Sequence, residues 1–102
     1  MEELLIETVT DGDNATLTLK GRLTTASSPD LKDALGEIIK DHPDVVLECT
    51  DLEYVSSAGL RVLKKAYLFK QSNGGSFVLK NVNEMVMEIL DMVGLADALT
   101  IV

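Results

Sequence analysis

Thr50-Asp51-Leu52-Glu53-Tyr54-Val55-Ser56-Ser57-Ala58-Gly59-Leu60-Arg61-Val62-Leu63 is the stretch on which the reading of this chain turns. It follows Asp44-Val45-Val46-Leu47-Glu48-Cys49, whose β-branched and apolar run predicts a buried strand, and it leads into apolar residues at helical spacing. The expected order is strand, short loop, helix. Ser56 and Ser57 stand at the junction, where either side-chain oxygen could accept a bond from an unpaired N–H of the first helical turn. Local chemistry by itself favours a plain cap. The functional alternative is a hydroxyl open to a partner, on which a phosphate would meet free N–H groups and the positive end of the helix dipole.

Working outward, residues 4–9 and 15–20 are short β-rich runs separated by Asp11-Gly12-Asp13-Asn14, a hairpin pattern. Ser28-Pro29-Asp30 reads as a cap, a proline at the first helical position and an acidic first turn. Leu31, Leu35, Ile38 and Ile39 then follow at helical spacing, and Pro43 requires that helix to have ended. Beyond the serines, Leu60, Leu63, Ala66 and Tyr67 make one apolar stripe and leave Arg61, Lys64 and Lys65 to water, up to a stop near Asn73-Gly74-Gly75. Residues 76–80 predict a further strand. Asn83 predicts a cap for a helix that turns Val86, Ile89, Leu90 and Val93 inward, with Gly94 as its stop. Residues 95–99 predict one more turn and residues 100–102 a last short strand. The fold class that results is α/β: a single domain over residues 1–102, with an N-terminal hairpin and a mixed, mainly parallel sheet. Helices pack on that sheet through right-handed crossovers.

Composition narrows the function classes. A chain of 102 residues that is 46% hydrophobic can bury one core without disulfide or metal staples. Nine Lys and Arg against seventeen Asp and Glu leave a net charge of -8, which repels phosphate backbones and anionic headgroups. Direct nucleic-acid binding and membrane insertion are therefore not expected. No secretory leader pattern and no bilayer-length apolar run occurs, which predicts a cytoplasmic protein. Cys49, the one cysteine, sits in an apolar strand run and reads as a small buried hydrophobe of a reducing compartment.

The residues do not predict an enzyme. His42, the single histidine, lies beside Pro43 and far in sequence from Ser57, so a serine nucleophile lacks a base. No CxxC or HExxH spacing occurs and Gly74-Gly75 is not followed by the lysine of a phosphate-binding loop, so neither metal nor cofactor is expected. Met85, Met87 and Met92 cluster on the last long helix, where core filling is the expectation and an adaptable binding surface the alternative.

Residues 51–63 resemble the signature of the bacterial anti-sigma factor antagonists, the stand-alone members of the STAS domain family. That signature runs through an apolar pair, a small or acidic residue, a phosphorylatable serine, a small residue, then Gly-Leu and further apolar residues. Leu19-Lys20-Gly21-Arg22-Leu23-Thr24 resembles the family's strand ending in Gly-x-Leu, and Met92-Val93-Gly94-Leu95 its late Gly-Leu turn, so the resemblance covers essentially the whole chain. It implies that Ser57 is the phosphoacceptor. It also implies that Thr24, Ser56, Ser57, Ala58, Gly59 and Arg61 face a partner. Two positions depart from the pattern, since family members commonly carry aspartate where Ser56 and Thr24 stand.

The function implied is partner switching. Unphosphorylated protein binds an anti-sigma factor that is itself a serine kinase, which frees the sigma factor, and phosphorylation of Ser57 ends the binding. A metal-dependent serine/threonine phosphatase resets the switch. The alternative is a STAS subunit of a lipid or other membrane transporter that docks on the ATPase without being phosphorylated.

Overall fold

Alternating burial along the central strands shows how the domain is layered. Ala15, Leu17 and Leu19 are buried, as are Val45, Leu47 and Cys49 and, further on, Phe77 and Leu79. Their neighbours Thr16, Thr18, Val46, Glu48, Ser76 and Val78 are half-exposed. Successive side chains of a strand point to opposite faces, so one face of the sheet is covered and the other is open. The computed structural model describes residues 3–102. Its elements are β1 (Leu4–Asp11), β2 (Asn14–Leu23), α1 (Ser28–Ile38), β3 (Asp44–Val55), α2 (Ser57–Asn73), β4 (Ser76–Lys80), α3 (Glu84–Met92), α4 (Leu95–Ala98) and β5 (Thr100–Ile101).

The sheet order is β1-β2-β3-β4-β5, with β1 antiparallel to β2 and every later pair parallel. This is the mixed, mainly parallel α/β sheet with an N-terminal hairpin that the sequence predicts. Because strand order follows chain order and one face is covered, the crossovers share one hand. Leu31 and Leu35 of α1, Leu60 and Leu63 of α2, and Val86 and Leu90 of α3 join the strand residues in a single core. Each such leucine, fully buried, contributes about 1.5–3 kcal/mol.

Several boundaries differ from the sequence reading, each for a physical reason. β3 runs on to Val55, past the expected end at Cys49, because residues 51–55 pair with residues 20–23 of β2 across two register shifts. The loop before α2 is therefore Ser56 alone. The second of those shifts lies at Gly21, whose φ of +108° and approach of 2.2 Å from Glu3 O to a would-be Cβ admit only glycine. The cap of α1 is Ser27, one residue before the expected Ser28, and its hydroxyl donates to Arg22 O instead of capping the helix. Val93 is 54% exposed, since it lies past the last turn of α3. Met85 and Met92, at 60% and 86% exposed, do not fill the core.

Other details match the spacing. Asn83 caps α3, with its side-chain oxygen accepting from Val86 N at 2.9 Å, and Gly94 adopts the left-handed conformation just past the helix. Arg61, Lys64 and Lys65 are exposed while Leu63 is 1% exposed. Lys70 is a surprise: it is buried, and its ammonium donates to Ile39 O at 2.7 Å and His42 O at 2.6 Å. It satisfies carbonyls at the end of α1, whose last turn carries no basic residue, and desolvation lowers its pKa.

Candidate functional site

The parallel strands β2 and β3 end side by side, and the site forms there. Leu23 pairs with Val55, and Ser56 N donates to Leu23 O at 2.8 Å, so Thr24 and Ser56 are the first residues beyond adjacent strand ends. Crevices at the carboxyl ends of parallel strands are where open α/β sheets place their sites.

The two serines divide the labour. Ser56 is the cap: it is 9% exposed, its backbone is extended, and its Oγ accepts from Gly59 N at 3.1 Å. Its own carbonyl accepts from Leu60 N at 2.9 Å, the first bond of the helix. Ser57 is the first helical residue and exposed. The sequence left the cap open between these two; the geometry assigns it to Ser56 and leaves the Ser57 hydroxyl to the outside.

Gly59 explains how the turn sits so close to the strands. A Cβ there would lie 2.6 Å from Leu23 Cγ and 3.2 Å from Val55 Cγ1, so a side chain would push the first turn of α2 off the strand ends. Ala58 is half-buried beside it. Thr24 is half-buried in a turn of its own, in which its hydroxyl donates to a Glu3 carboxylate oxygen at 2.5 Å and its N–H donates to Ser27 Oγ at 2.8 Å. Of the residues expected to face a partner, Ser57 and Arg61 are exposed, Thr24 and Ala58 are half-buried, and Ser56 and Gly59 are buried and hold the turn.

Charge distinguishes this surface from the rest of the molecule. Residues 57–73, which form α2, contain no acid and carry Arg61, Lys64, Lys65 and Lys70 in a chain of net charge -8. Ser57 shares a shallow depression with Leu60, Arg61, Lys64, Val93 and Leu95. Sequence reasoning had missed Val93 and Leu95, which reach the site only because α3 ends and turns beside α2. The one local hint was the Met92-Val93-Gly94-Leu95 turn. Arg22, by contrast, is engaged elsewhere, over the Tyr54 ring at 5.1 Å.

His42 belongs to the opposite end of the sheet, before β3 begins, with Nδ1 3.0 Å from Gly12 O. No imidazole therefore stands near Ser57 to take its proton. Cys49 is 1% exposed and burial pushes its thiol up to about 12, so it is neither nucleophile nor redox group at neutral pH. Among the described residues no helix is long and apolar enough to cross a membrane, and no cluster of His, Cys, Asp or Glu could hold a metal ion.

Comparison with known proteins agrees with this geometry. The STAS domain family matches residues 6–102. An anti-sigma-B factor antagonist of Bacillus subtilis is 28% identical over 83 residues, which cover 81% of this chain and 76% of that protein. Among solved structures, an anti-sigma factor antagonist from Mycobacterium paratuberculosis superimposes with a TM-score of 0.85 at 18% identity, over 96% of this chain and 84% of that one. The Bacillus cell fate determinant SpoIIAA in its phosphorylated form gives 0.73 at 15% identity, over 97% and 90%. A sulfate transporter family protein from Wolinella succinogenes gives 0.76 at 18% identity, over 89% and 75%, so the fold is common to regulators and transporter proteins. The match over nearly the whole length, with the strand-end serine turn in place, makes this chain a member of the STAS domain family.

Proposed function

We propose that this chain is an anti-sigma factor antagonist whose partner binding is switched by phosphorylation of Ser57. The observation that carries the reading is the division between the serines: Ser56 is buried and capping, whereas Ser57 is exposed on the first turn of a helix without acids. A kinase can reach the Ser57 hydroxyl without breaking the cap. The unphosphorylated face, with small residues at its centre and Arg61 and Lys64 beside Ser57, binds an anti-sigma factor that is also a serine kinase, and so frees the sigma factor. Adding a phosphate of about -1.5 to -2 charges puts a bulky, strongly hydrated group where close contact was made, and binding ends. A serine/threonine phosphatase restores the binding form. The chain itself acts by binding, in the cytoplasm where such partners work.

The phosphate has local support as well. On Ser57 it meets the positive end of α2, and Arg61 lies one turn further along the same helix. The absence of aspartate at positions 24 and 56 removes two like charges from its surroundings. A relative 28% identical to this chain is an anti-sigma-B factor antagonist, which favours this reading over a transporter subunit that would dock the same face on an ATPase.

Incubation with ATP and the serine kinase encoded beside this chain, followed by peptide fragmentation, tests it. Phosphate is expected on Ser57 and absent from Ser57→Ala. Phosphate on Ser56 alone would overturn the residue assignment, and none with any neighbouring kinase would favour the transporter-subunit reading.

A further inference from the structure

A groove of about 480 Å³ runs between α1 and α2, and neither the strand-end turn nor the switch accounts for it. Its floor is apolar, built from Leu35, Ile39, Val62, Ala66 and Phe69, and its rims carry Lys32, Arg61 and Lys65. No acid lines it among the described residues, although acids outnumber bases seventeen to nine in the chain. Three of the nine basic residues therefore stand around one apolar trough.

Gly36 is a second, independent sign. It lies in the last turn of α1, where glycine still costs stability relative to alanine, and beyond its chain neighbours and the adjoining helix backbone no atom lies within 4 Å of where its Cβ would be. Internal packing gives no reason for a glycine there. Gly36 lines the groove, and the missing side chain keeps that space open.

We infer that this groove binds a single-chain amphiphilic anion, such as a medium-length fatty acid, with its head group at Lys32 and Arg61 and its tail along the floor toward Phe69. The volume lies in the range of small-molecule sites, and an apolar lining with a few convergent charges is their usual composition. The two helices start at neighbouring strand ends, so Lys32 and Arg61 lie nearer the site end of the groove and Ile39 and Phe69 nearer the far end. From Lys32 to Ile39 or from Arg61 to Phe69 the floor is about 10 to 12 Å long at roughly 1.5 Å per residue. The ligand is free in solution, since a net charge of -8 keeps the chain away from anionic membrane surfaces. Arg61 also borders the Ser57 depression, so the bound head group and the switch surface share a guanidinium.

Titration of the whole chain with monomeric laurate, followed by amide NMR shifts, tests the inference without any protein partner. Saturable shifts at Gly36, Val62, Ala66 and Phe69 are expected. Hexanoate should bind at least about tenfold more weakly because less of its tail is buried. Lys32→Glu should weaken laurate by at least about tenfold by reversing one of the two charges that hold its head group. Gly36→Leu, which fills the groove from an exposed helix position, should abolish the shifts while an unchanged circular dichroism spectrum shows the fold intact. Failure of laurate to give saturable shifts, equal binding of cationic dodecyltrimethylammonium, or shifts confined to the open sheet face would overturn it. So would an acidic amphipathic peptide that occupies the groove while laurate does not, which would assign the groove to a protein.

Discussion

The starts of α2 and α3 share a capping chemistry and differ in everything around it. Each helix opens on an extended residue whose side-chain oxygen accepts from the N–H three positions on: Ser56 from Gly59 and Asn83 from Val86. At α3 the next residue is Glu84, an acid at the positive end of the dipole, and the third position is the buried Val86. At α2 the next residue is the neutral Ser57, the first turn holds no acid, and the third position is a glycine pressed against the strands. Capping alone does not mark a site. A first turn that omits the acid its dipole favours, and presents a hydroxyl there instead, is a place where an added phosphate would complete the electrostatics.

Substitutions at corresponding positions test that contrast. The largest effect is expected from Gly59→Val, which forces methyl groups into Leu23 and Val55 and should cost about 3 kcal/mol as overpacking. A denaturant midpoint unchanged by Gly59→Val would show that the turn does not need its close approach. Asn83→Ala should cost about 2 kcal/mol, because Asn83 also donates to Leu52 O at 2.7 Å and two bonds are lost. Ser56→Ala, which loses the cap alone, should cost about 1 kcal/mol.

These comparisons also show what the sequence could reveal. The hairpin, β4, the Asn83 cap and the Gly94 stop were legible because each is written locally in turn and capping residues. The extension of β3 through Thr50, Asp51 and Glu53 was not, since polar residues stay in a strand there only through pairing with β2. Lys70 reads as a surface cation until the end of α1 folds over it. Ser57 was singled out through its motif. Its surroundings, Val93 and Leu95, depended on how α3 packs.

Smaller effects sharpen the distinction between the serines. Ser57→Ala should change stability by no more than about 0.5 kcal/mol, as for an ordinary surface position, while leaving partner binding intact. A loss as large as that of Ser56→Ala would mean that Ser57 shares the capping role. Ser57→Asp should stabilise the fold by about 0.3–1 kcal/mol, because it places an acid in the first turn of α2, and should weaken partner binding all the same. Stability and affinity moving in opposite directions is the signature of a switch surface that does not unfold.

The central claim is that the charge on Ser57 decides whether the partner binds. Its most direct test is a titration of the anti-sigma factor with the unphosphorylated chain and with the chain phosphorylated at Ser57, at one ionic strength. Phosphorylation is expected to weaken binding tenfold or more, each tenfold being about 1.4 kcal/mol. Equal affinity of the two forms would contradict it.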